Sequence, residues 1–154
     1  MSKKEWGPAC WLLFHGLASK VKEEEFDIIK FGIWEQINGI CNNLPCPECR
    51  EHATELMAKT NKNAILISKR NLELFLFDFH NLVNKRTYSK IMTIEEYDTI
   101  YKNVKLIPII NNFISKFIVS TRNNKLMLDV MHRHLFSGNF TRWMKQNINR
   151  FYLD

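Results

Sequence analysis

The chain has 154 residues, of which 45% are hydrophobic and 25% are charged, and its formal net charge is +6. This length suits one domain with a substantial core and an appended subdomain, but not two full domains. Lys and Arg are spread along the chain, which argues against a nucleic-acid-binding protein while leaving room for an anionic ligand.

The N-terminus does not resemble a secretory signal, because Trp6-Gly7-Pro8 interrupts any apolar stretch. No apolar run reaches membrane-spanning length, so we expect no membrane segment. Gly and Pro are scarce, which favours packed helices. The four cysteines are too few for a disulfide-stapled mini-protein and too clustered to be incidental, which suggests redox chemistry or a metal site.

A first helix is predicted over residues 6–22. Gly7, Trp11 and His15 are spaced i, i+4, i+8 and therefore share one helical face. From periodicity alone, the plainer interpretation is a core stripe with one satisfied histidine. Cys10 directly precedes Trp11, so we expect it to point away from this face.

A second helix over residues 25–42 ends before Pro45, and Cys41 in its last turn is expected to be a small buried apolar residue. A third helix, about 46–59, begins at Cys46-Pro47-Glu48-Cys49. A helix N-terminus stabilises thiolates, and lowering a cysteine pKa from about 8.5 to about 7 raises the thiolate fraction at neutral pH to roughly half. This segment is therefore a candidate reactive dithiol.

A fourth helix is predicted over residues 71–86, with a first half so apolar that we expect it to cross the centre of a bundle. In its second half His80, Asn81 and Asn84 form a polar trio, which must find partners or bind a ligand. Three cations could attract an anion such as phosphate: Lys85, Arg86 and Lys90.

The remaining elements carry no evident catalytic constellation. Thr93-Ile94-Glu95-Glu96 forms a capping box and predicts a short fifth helix that presents Tyr97 and Tyr101. Three further helices are predicted over residues 108–120, 124–136 and 139–152, with a break at Ser137-Gly138-Asn139. His132 and His134 are two positions apart and point in different directions on a helix, so a metal pair is not expected.

Three motifs in order resemble the Erv/ALR family of FAD-linked sulfhydryl oxidases. They are Trp6-Gly7-x3-Trp11-x3-His15, then Pro45-Cys46-x-x-Cys49, then His80-Asn81-x-Val83-Asn84-Lys85. The resemblance covers about residues 6–101, and the cysteine segment looks most like that of short members encoded by large cytoplasmic DNA viruses.

The resemblance implies an all-α fold, with a bundle of four helices plus a short fifth helix that binds FAD, commonly as a homodimer. It divides the chain into an FAD-binding oxidase domain, 1–104, and a C-terminal helical extension, 105–154, of unknown role. The residues it assigns to the cofactor are Gly7, Trp11, His15, His80, Asn81, Val83, Asn84 and Lys85, with Tyr97 or Tyr101 against the adenine.

For the chemistry, the resemblance implies that Cys46 exchanges with substrate thiols and that Cys49 lies against the flavin. Electrons would pass from protein thiols through this pair to FAD and then to O2, giving H2O2. A thioredoxin-like carrier could supply them, since the chain lacks the additional shuttle cysteines of many cellular members. A viral protein would act in the host cytoplasm or virion, and otherwise in the mitochondrial intermembrane space.

The main alternative is a structural zinc site in an interaction protein, built from Cys41, Cys46, Cys49 and His52. It is disfavoured because Cys49 and His52 fall inside a well-formed helix, and because a zinc site leaves the polar residues His80, Asn81 and Asn84 unexplained. A thioredoxin-like oxidoreductase is less favoured still, since no strand pattern precedes the cysteines. A partner surface or extra dimer contact remains a separate possibility for residues 105–154.

Overall fold

The computed structural model describes residues 3–119 and 127–154, and within those ranges the regular structure is helical. The eight α-helices in these ranges are α1 Lys3–Lys20, α2 Glu23–Asn42, α3 Pro47–Lys59, α4 Lys62–Ile65, α5 Lys69–Arg86, α6 Ile94–Lys102, α7 Leu106–Val119 and α8 Met127–Asn147. A 3-10 turn, Ile148–Arg150, follows α8. The all-α class predicted from the sequence is confirmed. None of these helices is long and apolar enough to cross a membrane.

The most deeply buried helix is α1 rather than α5. Its central residues 13–18 are all buried, and it packs against α7, α5 and α6. In contrast, α5 buries one stripe, Leu72, Leu76 and Phe79, while Asp78 stays exposed. The prediction of a central α5 was wrong because its remaining aromatic residues are only partly buried on its flanks.

The starts of α5 and α6 are fixed by side-chain capping. Ser68 Oγ accepts a hydrogen bond from the backbone N–H of Asn71 at 3.0 Å and begins α5. The capping box predicted at Thr93 and Glu96 is present and begins α6. These caps satisfy N–H groups that the helices leave unpaired, so local sequence sets both boundaries.

The C-terminal helix is continuous where the sequence suggested a break. α8 runs through Ser137-Gly138-Asn139, and a methyl group added at the exposed Gly138 would have no heavy atom within 4 Å. A glycine inside a helix costs only about 1 kcal/mol relative to alanine. Burial of Phe140 and Met144 on the inner face of the same helix outweighs that cost.

α8 lies antiparallel to α2 through two glycine–aromatic contacts. A methyl group on Gly32 would lie 2.9 Å from the Trp143 ring, and one on Gly39 would approach the Phe136 ring still more closely. The glycines and the rings are each seven residues apart, so the two pairs repeat along the same faces. The absence of side chains at these two positions of α2 therefore allows two rings of α8 to pack against its backbone.

Candidate active site

The two motif cysteines are joined as a disulfide at the start of α3. Cys46 is the N-cap residue, Pro47 occupies the first turn, and the Cα atoms of Cys46 and Cys49 are 5.2 Å apart. Cys46 Sγ accepts a hydrogen bond from the backbone N–H of Cys49 at 3.2 Å. Sulfur therefore takes the capping role that an Asp or Ser oxygen commonly plays, at the helix end that favours negative charge.

Cys49 lines a mainly apolar cavity between α1, the end of α2, α3 and α5. Cys46 does not border it. The lining residues are mostly aromatic or aliphatic and are Trp6, Gly7, Cys10, Trp11, Phe14, Cys41, Leu44, Cys49, Ala53, Phe79, Val83 and Arg86. One sulfur of the disulfide thus lines a partly open, mainly apolar site suited to a flat apolar group.

A second, more open cavity of about 1240 Å³ continues from the first. The two cavities share Gly7, Trp11 and Val83, so they form one cleft along α1 and α5. Its other lining residues bring polar groups and are Pro8, Leu12, His80, Asn84, Thr87, Ser89 and Tyr101. The cleft is therefore mainly apolar along its whole length, with polar side chains added at the far end. Such a lining suits a ligand that carries a flat ring and a partly polar tail.

A pair of hydrogen-bonded histidines supports the wall between these two ends. His15 Nε2 lies 2.9 Å from His80 Nδ1, and the ring of His80 stacks on that of Trp11 with centroids 4.2 Å apart. Burial lowers the pKa of His15 well below its usual value, as does the neighbouring His80, and burial lowers the pKa of His80 to about 4. Both imidazoles are neutral at physiological pH, so one nitrogen of the pair donates and the other accepts.

The structure brings most of the predicted site residues to this cleft. Those that border it are Gly7, Trp11, Cys49, His80, Val83, Asn84 and Tyr101. Cys46 lies on the other side of the disulfide and is partly exposed. Residues from α1, α3, α5 and α6 thus meet at one site although they are far apart in the sequence.

Four predicted cofactor residues lie off the cleft. His15 is fully buried behind Trp11 and contacts His80. Asn81 holds the loop after α5, since its side chain accepts from the N–H of Met92 and donates to the Met92 carbonyl, both at 2.9 Å. Tyr97 packs behind His15, and Lys85 is exposed and borders neither cavity. The first three are in a position to orient the cleft wall rather than line it.

Cys10 was misplaced by the sequence prediction. It borders the apolar cavity together with Cys41, and both are buried free thiols. The signal was available, because Cys10 follows Gly7 by three positions and precedes Phe14 by four, which puts the three on adjoining parts of one face. Burial raises the pKa of Cys10 far above its usual range and that of Cys41 to about 12, so both stay protonated. The prediction that Cys41 is a buried apolar residue is confirmed.

Three residues that the sequence did not assign to the cofactor also border the cleft: Arg86, Thr87 and Ser89. Of these, only Arg86 had been noted, as a cation that could attract an anion. Arg86 is the last residue of α5, and Thr87 and Ser89 follow it in the loop that Asn81 holds through Met92. Extending the polar trio by one helical turn would have indicated Arg86 and Thr87.

The residues of the zinc alternative do not converge. Cys46 is bonded to Cys49, Cys41 is buried under the apolar cavity, and His52 is directed at Glu48, 3.8 Å away. Across the described part of the chain, no group of three or more His, Cys, Asp or Glu side chains is placed to hold a metal ion. The geometry instead favours a dithiol beside an elongated cleft.

Comparison with known proteins agrees with this geometry. The family model described as the Erv1 / Alr family matches residues 8–102. The chain belongs to the Erv1 / Alr family. This confirms the family predicted from the three motifs. The match ends at residue 102, so α7 and α8 of this Erv1 / Alr protein lie outside it.

Several viral proteins are similar to this Erv1 / Alr chain, and their names describe FAD-linked sulfhydryl oxidases. One from African swine fever virus (isolate Pig/Kenya/KEN-50/1950) is 32% identical over 97 residues, covering 63% of this chain and 80% of the relative. One from Invertebrate iridescent virus 3 is 34% identical over 83 residues, covering 54% of this chain and 56% of the relative. One from Acanthamoeba polyphaga mimivirus is 30% identical over 97 residues, covering 62% and 68% respectively. No solved structure matched the chain.

Proposed function

We propose that this protein is an FAD-linked sulfhydryl oxidase that forms disulfides in thiol-bearing proteins. The observation that carries the proposal is the disulfide at the start of α3, with Cys49 directed into the cleft between α1 and α5. The names of the viral relatives support it. One sulfur is available to solvent-borne substrates and the other to a ligand in the cleft.

The two cysteines have different roles. A substrate thiolate attacks Cys46 Sγ and forms a mixed disulfide, while the bond between the protein sulfurs breaks and Cys49 leaves as a thiolate. The N-terminus of α3 stabilises that negative charge. A second substrate thiolate attacks the substrate sulfur of the mixed disulfide, which releases the oxidised substrate and leaves the protein pair as a dithiol. Two electrons and two protons have then moved from substrate to protein.

The cleft fits FAD by the chemistry of its two ends. The end beside Cys49 suits a flat tricyclic ring, with Trp11 and Phe14 among its walls. The far end adds His80, Asn84 and Tyr101 to a mainly apolar surface, which suits an adenine and ribose-phosphate tail. FAD held between these walls would supply the two-electron acceptor for the dithiol, with O2 as the final acceptor and H2O2 as the product.

In this proposal, three of the predicted cofactor residues do not contact FAD but position the residues that border the cleft. His15 orients His80, Asn81 fixes the loop that brings Thr87 and Ser89 to the cleft, and Tyr97 packs behind His15. Lys85 is exposed on the last turn of α5 and supplies positive charge near the residues that lead into the loop after this helix.

The partners proposed for the reaction are thiol-bearing proteins as substrates and O2 as acceptor. The kinship with proteins of large DNA viruses supports a viral protein that acts in the host cytoplasm or virion. A homodimer and a thioredoxin-like carrier, both implied by the family resemblance, remain predictions.

Cofactor content and thiol-dependent O2 uptake test the proposal. The purified protein should be yellow, with a flavin absorption band that falls when dithiothreitol is added without air and returns on aeration. Cys46→Ala and Cys49→Ala should each abolish O2 consumption, whereas Cys10→Ala should retain it. A colourless protein with one tightly bound zinc ion, or full turnover by either motif variant, would contradict the proposal.

A further inference from the structure

The C-terminal helix reaches back to the segment that carries the redox-active disulfide. Arg50, in the first turns of α3, donates from Nη1 to the carbonyl oxygen of Leu44 at 3.2 Å and to Asp129 Oδ2 of α8 at 3.1 Å. The side chains of Arg50 and Asp129 are about three-quarters buried, at 26% and 23% exposure. A partly buried, hydrogen-bonded ion pair of this kind restrains geometry better than an exposed one.

Arg133 makes a second link from α8 to the same segment. It is 5% exposed, and its Nη1 donates to the carbonyl oxygen of Asn43 at 3.5 Å. Its Nε has no hydrogen-bond partner among the described residues. Burial lowers the pKa of Arg133, Asp129 raises it and Arg50 lowers it. Arg133 is therefore a buried cation with one unpaired nitrogen, and Asp129, the acidic group that favours its charge, is also paired with Arg50. Burying a charge in this way is costly.

The segment that these residues contact has little backbone support of its own. Asn43 and Leu44 lie after the last turn of α2, and Pro45 has no N–H to donate. The backbone hydrogen bonds nearby are Asn43 N–H to Ile40 O on one side and Arg50 N–H to Cys46 O on the other. The two carbonyls that directly precede Pro45-Cys46 are thus the ones that the arginines contact.

We propose that Asp129 and Arg133 are positioning residues of the disulfide, through which the C-terminal extension holds residues 43–46 and with them Cys46. The reason for holding the disulfide in place rests on the proposed oxidase function. The effect of the two contacts on the mobility of residues 43–46 does not depend on that function. Asp129 acts by orienting Arg50 onto the Leu44 carbonyl, and Arg133 acts on the Asn43 carbonyl. The extension, which lies outside the matched family segment, is in this way part of the active site.

Hydrogen–deuterium exchange of the full-length, flavin-bound, disulfide-oxidised protein tests the proposal. Asp129→Asn and Arg133→Gln should each speed exchange at the amides of Asn43, Cys49 and Arg50 by about tenfold or more. These amides donate to Ile40 O, Cys46 Sγ and Cys46 O on either side of the held segment. Asp129→Glu, which keeps the carboxylate, should restore most of the protection. Since the first two variants change the charge in opposite directions, a shared effect identifies positioning rather than charge.

The matched control removes another ion pair between the C-terminal extension and α2. Arg150 Nη1 donates to Glu25 Oε2, and Glu25→Gln removes this ion pair without touching residues 43–46. Exchange at the three amides should stay at the wild-type rate in Glu25→Gln. Equal acceleration in the control, which would indicate general loosening of the extension, overturns the proposal.

A second readout separates positioning from charge tuning. The pH dependence of Cys46 alkylation is measured in the reduced proteins. Opposite shifts of its midpoint in Asp129→Asn and Arg133→Gln, with unchanged amide exchange, would show that these residues tune charge, and would overturn the positioning role. Flavin content and O2 uptake of the wild type, recorded on the same samples, report separately on the proposed oxidase function.

Discussion

Replacing Gly39 with alanine should destabilise the protein by forcing α2 and α8 apart. The added methyl group would overlap Phe136 Cε1, so the ring must move. Overpacking of this severity costs about 3 kcal/mol, and the better helix propensity of alanine returns about 1 kcal/mol, which leaves a net loss of about 2 kcal/mol. With an unfolding entropy of about 2.1 cal/mol/K per residue, this corresponds to a fall in Tm of about 6 °C for the 154-residue chain.

Thermal unfolding followed by circular dichroism measures this effect, and Gly138→Ala is the matched control. Gly138 lies within α8, is exposed, and has no heavy atom within 4 Å of the added methyl position. Here only helix propensity acts, so Tm should rise by about 3 °C. Adding Phe136→Leu to Gly39→Ala should recover stability relative to the sum of the single changes. Equal behaviour of the two alanine variants would refute the packing argument.

Three further outcomes follow from the site and its loop. Cys10→Ala and Cys41→Ala should keep thiol oxidation, and in the wild type both thiols should resist iodoacetamide until the protein unfolds, because burial keeps them protonated. Since the folded pKa of His80 is about 4, below its usual 6.5, the unfolded chain binds the proton more readily between these values, so Tm should fall as pH is lowered from 7 to 4. His80→Gln should show a smaller fall, the remainder coming from His15; an equal fall would contradict this. Tyr88 is 97% exposed with φ of 57°, so Tyr88→Gly should raise Tm by about 3 °C, and a loss of stability would show that its ring has a hidden role.

The parts of the fold that depend on local chemistry were predictable from sequence. The capping box at Thr93, the proline in the first turn of α3 and the spacing of Gly7 and Trp11 each act within one or two helical turns. Signals of this range need no knowledge of the tertiary structure. They led to the helical class, to the family and to the cysteine pair at the start of α3.

What the sequence could not supply is the contact between distant helices. The pairing of Arg50 with Asp129 spans 79 positions, and that of His15 with His80 spans 65. Neither follows from helical periodicity, which gives the face of a residue but not the helix it meets. His15 was accordingly placed on the cleft when it lies behind it, one layer further into the core.

At Gly138, where the sequence predicted a break, tertiary packing outweighs the local preference of the sequence. The local preference for a turn is weak, and packing of Ser137, Phe140 and Met144 against the body of the protein keeps the helix intact. Tertiary contacts commonly override a propensity difference of about 1 kcal/mol.

The distribution of the tryptophans gives the protein a built-in optical probe. Trp6 and Trp11 border the cavity beside Cys49, whereas Trp34 packs on Phe75 and Trp143 packs on Phe151, away from it. A bound chromophore that absorbs where indole emits will quench the first two most strongly. Steady-state fluorescence can therefore follow occupancy of the cleft in real time, and Trp34→Phe combined with Trp143→Phe will leave a protein whose remaining emission comes from the site itself.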